Sequence, residues 1–281
     1  MREETMNPET SLSAVDCERY LRLLGVRRRE PSLDALVELT TAHLTGVPFE
    51  NISKLYHNRR LGLRGIPDLT LYLDGIERFR LGGTCYSNNY YLNRLLRALG
   101  YEVDLCGADM AQPDVHLLSI VRLSGREYLV DAGYGAPFLV PLPRDLDHDY
   151  EIALGDERYV LKAQDAERRS RLELHRRGKR AHGYVVKPAP RRIEEFALVI
   201  EGSFAPTATF MNALVIVRFF VGRSLVLHNL KVIESEGNTS RTQQITSLSD
   251  LPETIERYFE IPEAITREAL NGRLLSQDPW E

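Results

Sequence analysis

The sequence predicts an α+β protein with helices first, a β-rich middle and a mixed α/β end. Three observations carry that expectation. The apolar period is helical up to Gly100, becomes short and strand-like from Tyr101 to about Val186, and mixes strands with helices thereafter. Glycine, proline and Ser-Gly turn signals punctuate the middle at close intervals, as in a small barrel or sandwich. A length of 281 residues with 43% hydrophobic content suffices for sizeable cores and for two or three domains.

In chain order, helices are expected over Val15 to Gly25, Ser32 to Gly46, Pro67 to Ile76 and Cys85 to Gly100. The last rests on Tyr91, Leu92, Leu95, Leu96 and Leu99 at i, i+3 and i+4 spacing, with Gly100 as the stop. Strands are expected over Tyr101–Cys106, His116–Leu123, Arg126–Asp131, Tyr150–Leu154, Arg158–Ala163, Arg171–His175 and Gly183–Lys187. The remainder reads as strands at Ala213–Val221 and Ser224–Glu234, then helices at Ser249–Glu260 and Pro262–Asn271. No internal repeat or low-complexity linker interrupts this order.

Composition narrows the function classes. A net charge of −4 argues against general nucleic-acid binding, which requires a basic excess. The segment Met1 to Thr10 is polar and acidic, without a secretory apolar core, and no apolar run is long enough to span a bilayer, so a cytoplasmic protein without membrane partners is expected. Cys17, Cys85 and Cys106 are too few and too scattered for a disulfide framework, and no CxxC or HExxH spacing marks a metal site.

Chemistry concentrates in Cys85, His116 and Asp131. Leu81-Gly82-Gly83-Thr84 leads into the helix that Cys85 opens, and the unpaired N–H groups and dipole of a first turn favour thiolate. Ser124-Gly125 is a two-residue hairpin signal between the His116 and Arg126 runs. In that register Leu118 opposes Asp131, which puts His116 and Asp131 on one face as diagonal neighbours, about 7 Å apart or less at Cβ. A three-residue loop with a bulge would break this pairing. Taken singly, Cys85 reads as a small buried hydrophobe, His116 as a satisfied strand residue and Asp131 as a strand end before a glycine turn. Together they supply a nucleophile, a base and an orienting carboxylate, the roles of covalent acyl transfer.

Gly82-Gly83-Thr84-Cys85 with Asn89, the upstream Val47-Pro48-Phe49-Glu50-Asn51, the His116 strand and Tyr128-Leu-Val-Asp131-Ala-Gly-Tyr-Gly135 resemble the arylamine N-acetyltransferases over roughly residues 15 to 140. The resemblance implies an N-terminal helical bundle (1–100) carrying the nucleophile, a central β-barrel-like domain (101–188) carrying His116 and Asp131, and a C-terminal α/β lid (189–281). A Cys-His-Asp site would then lie at the first domain interface. It implies acetyl transfer from acetyl-CoA, a co-substrate rather than a tightly bound cofactor, to an arylamine or hydrazine, with Cys85 as nucleophile, His116 as base and Asp131 as orienter. Phe49, Tyr134 and Phe138 become candidates for substrate contact, although packing is the better reading for Phe49 and an equal one for the other two.

Two departures stand out. The family's usual arginine before the glycine pair is Leu81 here, and its usual glutamate two residues after the cysteine is Ser87. The Cys-to-His interval is also shorter, implying a trimmed connection around Ala108 to Asp114. These changes leave room for a relative that draws its acyl group from a carrier protein. A transglutaminase-like or cysteine-protease hydrolase would use the same triad, and a binding protein would keep it without reactivity. The basic run from Glu167 to Arg180 could meet CoA phosphates, but its interleaved acids suit a solvated hairpin edge better.

Overall fold

A computed structural model describes residues 12–272 and Leu275; the polar segment Met1 to Thr10 read above lies outside the described residues. Among the described residues up to position 100 there are five helices: α1 (Ala14–Leu24), α2 (Leu33–Gly46), α3 (Ile52–Leu61), α4 (Leu69–Phe79) and α5 (Cys85–Ala98). Ser13, Ser32 and Asp68 cap α1, α2 and α4 by accepting first-turn N–H bonds, which satisfies donors the helix leaves open. A two-residue strand, β1 (Phe49–Glu50), separates α2 from α3.

The middle of the chain forms an eight-stranded antiparallel sheet, nearly closed and barrel-like. Its strands are β2 (Glu102–Asp109), β3 (His116–Leu123), β4 (Arg126–Val130), β5 (Leu142–Pro143), β6 (Tyr150–Leu154), β7 (Glu157–Leu161), β8 (Ser170–Arg176) and β9 (Lys179–Pro190), in the spatial order β5-β4-β3-β2-β9-β8-β7-β6. The β3–β4 hairpin turns on Ser124 and Gly125, both at positive φ (54° and 76°), and pairs Leu123 with Arg126 and Ser119 with Val130. This is the two-residue register expected above, and the short loop between β2 and β3 is the trimmed connection.

The last third begins with a 3-10 turn (Ile193–Phe196) and two short helices, α6 (Ala197–Gly202) and α7 (Thr209–Asn212). It continues as β10 (Val215–Phe220), β11 (Arg223–His228), β12 (Lys231–Glu236) and β13 (Thr239–Gln244), and closes with α8 (Leu251–Phe259) and α9 (Glu263–Leu270). The second sheet has the order β1-β10-β11-β12-β13, so its first strand comes from the helical N-terminal third. Asn51 fastens that connection: its side-chain amide donates to the carbonyls of Phe210 (2.9 Å) and Ala213 (2.7 Å) and accepts from Val215 N (2.9 Å). Among the described residues no helix is long and apolar enough to cross a membrane.

Three expectations need correcting. Ser224 to Glu234 is not one strand but β11 and β12, because Asn229 turns the chain at positive φ without help from glycine or proline. Helix α3 and strand β13 were not anticipated. The basic run does form a hairpin, β8–β9, but both strands are interior to the sheet rather than at its edge. Its arginines are drawn into ion pairs, among them Arg176 with Glu157 and Arg169 with Asp165.

Candidate active site

The site forms where the N-terminus of α5 meets β3 and the turn after β4. Thr84 makes no side-chain cap, so the first-turn N–H groups of α5 are not covered by the residue that ordinarily would cover them. Gly82 and Gly83 are needed by close approach: a Cβ on Gly82 would run into the Pro48 carbonyl, and one on Gly83 would meet Ser87 Cβ at 2.8 Å. Phe49 lies alongside, bridged to Gly83 across the backbone and meeting Phe210 edge-on at 5.9 Å.

Glu50 is completely buried. Its carboxyl accepts from Gly82 N (3.0 Å) and Ser53 N (2.8 Å), tying the glycine loop to the first turn of α3. Burial raises its pKa against these hydrogen bonds. Leu81, in the position of the family's usual arginine, is itself buried, so no cation is supplied from there.

Cys85, His116 and Asp131 are brought together. His116 Nε2 lies 2.8 Å from Asp131 Oδ2, with both side chains almost fully buried (1% and 0% exposed). An ionised carboxylate only accepts, so Nε2 carries the proton and the other ring nitrogen is left for the sulfur. Burial alone would lower the His116 pKa; the Asp131 charge and hydrogen bonding to Asp131 and Cys85 overcome it and raise the value. Burial likewise opposes ionisation of Asp131, and the charge and hydrogen bond of His116, with those of Asn89 and Gly133, hold its pKa below the ordinary carboxylate value. The Cys85 sulfur also lies 3.9 Å from the Val115 carbonyl.

Asp131 is gripped on every side. Besides His116 it accepts from Asn89 Nδ2 (2.8 Å), Gly133 N (2.9 Å) and Tyr184 OH (2.8 Å). Asn89 lies one helical turn after Cys85, on the same face of α5, and its Oδ1 accepts from Ala132 N (2.7 Å). One side chain therefore locks the cysteine helix to the aspartate turn. Tyr184 on β9 was not anticipated, because nothing in its local sequence pattern announces that β9 pairs beside β2.

Gly133 leaves no room for a side chain. A Cβ there would lie 2.6 Å from Asn89 Nδ2 and 2.9 Å from Cys85 Cβ, with the Cys85 backbone closer still. Gly133→Ala should cost about 1–3 kcal/mol of stability through overpacking, read as a lower urea midpoint, and should reduce the reactivity of Cys85 more than the folded fraction alone explains.

Of the substrate-contact candidates, Tyr134 borders open space and Phe138 packs behind it. The Tyr134 hydroxyl is hydrogen-bonded to His182 Nδ1 (2.8 Å), and its ring lies 5.9 Å from His116. Phe138 stacks on Tyr134 at 6.2 Å and meets Tyr159 edge-on at 5.5 Å, while only 1% exposed. Tyr134, Gly135 and Pro137 line a cleft of about 360 Å³ between the two sheets, with Phe219, His228 and Arg176 on its other walls. Lys54, on the first turn of α3, was not anticipated either. Its ammonium is bonded to Ser203 Oγ (2.7 Å), stands 4.0 Å over the Phe204 ring, and is within electrostatic range of Cys85.

A two-sheet α+β fold with a buried Cys-His-Asp cluster at the N-terminus of a helix is the setting into which the comparisons fit. The family model described as N-acetyltransferase matches residues 32–266, and the chain belongs to that family. An arylamine N-acetyltransferase of the chicken pineal gland is 35% identical over 142 residues, 47% of each chain. An N-malonyltransferase of Fusarium pseudograminearum is 33% identical over 147 residues, 44% of this chain and 40% of that protein. The matched stretch thus spans about half the length of these curated relatives. The structure of the Nocardia farcinica arylamine N-acetyltransferase superimposes with a TM-score of 0.78 at 26% identity, covering 97% of this chain and 100% of that one. The Mycobacterium marinum enzyme, solved with CoA, has the same fold: TM-score 0.76, 20% identity, 92% and 99% covered.

Proposed function

We propose that the protein moves an acetyl group from acetyl-CoA to the nitrogen of an arylamine or hydrazine through an acetyl-Cys85 intermediate. The single observation that supports this best is His116 held between the Cys85 sulfur and a carboxylate that four donors keep ionised. Cys85 thiolate attacks the thioester carbonyl, the C–S bond to CoA breaks, and the His116 imidazolium protonates the departing thiolate. The amine then attacks the acyl-cysteine, and His116 takes its proton as Cys85 leaves. First-turn N–H groups of α5 are the donors best placed for the oxyanion.

In this proposal the cleft beside Tyr134 admits the acceptor, with Tyr134 as the aromatic contact and Phe49 and Phe138 supporting its walls. The division at residues 100 and 188 belongs to the same proposal, with the triad straddling the first boundary. Acyl-CoA acts as a co-substrate, and the expected compartment is the cytoplasm.

Intact-protein mass spectrometry after incubation with acetyl-CoA alone tests this. One acetyl adduct, stable in buffer and cleared when an arylamine is added, is the expected result. An adduct cleared by water as fast as by amine would favour the hydrolase. An adduct formed only from a carrier-bound thioester would favour the amide synthase.

A further inference from the structure

The glycine loop in front of Cys85 is held from the helical bundle by a buried side chain, Asn88 on α5. Its amide sits between two converging carbonyls: Nδ2 donates to Pro48 O (3.2 Å) and to Gly83 O (3.1 Å). Its Oδ1 accepts from the Tyr72 hydroxyl (3.1 Å), which lies 3.3 Å from the Tyr20 hydroxyl, itself 2.8 Å from His43 Nε2. Asn88, Tyr72, Tyr20 and His43 are all buried and come from α5, α4, α1 and α2 in turn. The chain they form ends on the loop that precedes the nucleophile.

Its protons run in one direction. Nδ2 faces carbonyls, so Oδ1 must accept, and Tyr72 gives it the one proton a phenol has. Tyr72 O then accepts from the Tyr20 hydroxyl, and Tyr20 O from His43 Nε2–H. Burial keeps His43 neutral, pushing its pKa down to about 3, so its other nitrogen, Nδ1, is a bare acceptor. Among the described residues Nδ1 has no hydrogen-bond partner, and an unmet buried acceptor is less costly than an unmet donor. The opposite tautomer would bury an unmet N–H and leave no proton between the two phenols. Hydrogen bonds aligned in this way polarise one another, which strengthens the last of them, at Gly83.

The consequence lies in the peptide between Gly83 and Thr84. A trans peptide points its C=O and N–H in opposite directions. Gly83 O is held toward the bundle by Asn88 Nδ2 and by Glu50 N (3.1 Å), so the Thr84 N–H is turned the other way, at the uncapped end of α5 beside Cys85. Glycine at 83 sets little limit on this peptide's rotation by itself. We propose that Asn88 is a positioning residue for acyl transfer: it aims the Thr84 amide at the oxyanion that forms when Cys85 adds to the thioester carbonyl, and Tyr72 keeps the Asn88 amide in the orientation this needs.

This rests on the acyl-transfer reading above. In that step the Cys85 sulfur bonds to the carbonyl carbon and the π pair moves onto oxygen; the pair returns as the C–S bond to CoA breaks, and His116 protonates the departing thiolate. Iodoacetamide uses the same sulfur, but it loses iodide from a saturated carbon and develops no oxyanion. The two rates therefore separate the aiming of an amide from a role in folding or in ionising the thiol.

Both reactions are followed by intact mass on the full chain, with acetyl-CoA at saturation. Asn88→Leu should lower the acylation rate about tenfold or more, part of the roughly 10²–10³-fold lost when an oxyanion donor is removed outright. Alkylation of the folded variant should keep its wild-type rate. Tyr72→Phe, which retains the Asn88 side chain and nearly all the packing, should show the same split at smaller size, and it carries the test if Asn88→Leu does not fold. Circular dichroism melts establish which variants are folded. Acylation falling in step with alkylation, or a wild-type acylation rate in the variants that fold, overturns the assignment and leaves the acyltransferase intact. Wild type alkylated at Cys85 but never acylated overturns the parent reading and this one together.

Discussion

Cys85→Ala should form no acyl adduct and should lose turnover by about 10⁴–10⁶-fold, the range seen when the nucleophile of a triad is removed. The effect should fall on this cysteine alone, because the other two are shielded. Cys106 is buried in the barrel-like sheet, where desolvation, aided by the Asp104 charge, pushes its thiol up to about 12. Cys17 is fully buried on the inner face of α1, and burial raises it as well, against the lowering charge of Arg28. Arg28 donates to the Cys17 sulfur and the Cys106 thiol faces the Pro188 carbonyl, whereas Cys85 bonds to the His116 imidazole. An alkylating probe should therefore label wild type at Cys85 and leave Cys85→Ala unlabelled while it stays folded. Labelling of Cys17 or Cys106 at a comparable rate, or acyl transfer retained by the alanine variant, would remove the covalent mechanism.

The parts of this fold that were legible in sequence are those whose ends are chemically marked. Helices α1 and α2 have a serine cap and a glycine near the stop, and both ends fall within a residue or two of expectation. The β3–β4 hairpin was legible to the residue because Ser-Gly accepts positive φ at both turn positions, and one register then aligned His116 with Asp131. Helix α3 was missed because its few apolar residues, among them Ile52 and Leu55, sit in a polar run without a continuous stripe, and its burial comes from α9 and the lid segment. Strand β13 is wholly polar and exposed, so it offers no alternation to read.

The same division runs through the site. Cys85, Asn89, His116 and Asp131 lie in two local segments whose spacing determines their geometry. Tyr184 and Lys54 reach it through long-range pairing of β9 with β2 and of α3 with the segment around Ser203, and sequence spacing carries no record of either. The joint loss of the usual arginine and glutamate, at Leu81 and Ser87, was visible, but its consequence was not. Glu50 gives its carboxylate oxygens to backbone amides, and a small cavity with mostly apolar walls lies beside Ser87.

Asp131→Asn should cost about 10⁴-fold in turnover while leaving the chain folded, because it reverses the polarity of an atom that His116 depends on. The carboxylate accepts from four donors; an asparagine amide offers one oxygen and one NH2 group, so with either orientation two donors must face an N–H group: His116 Nε2–H and the Tyr184 hydroxyl, both on Oδ2, or Asn89 Nδ2 and Gly133 N, both on Oδ1. With the NH2 group at the Oδ2 position, the imidazole relieves the clash by placing its proton on the nitrogen that faces the sulfur, where it can no longer take the Cys85 proton. The charge effect has a definite sign. In wild type the His116 pKa is raised above 6.5, so stabilisation from the pair is complete below pH 6.5 and is lost as pH rises through the raised value. Asp131 is depressed below 3.8, so its share is present above 3.8 and is lost as pH falls through the depressed value. Without the carboxylate, burial is left to lower His116, and the imidazolium that protonates departing CoA is lost at lower pH. The alkaline limb of the acylation rate should therefore move toward acid in Asp131→Asn, and the pH dependence of its melting temperature should flatten above pH 6.5 and below pH 3.8. A variant with an unshifted alkaline limb and near-wild-type turnover would show that Asp131 serves only to pack the turn.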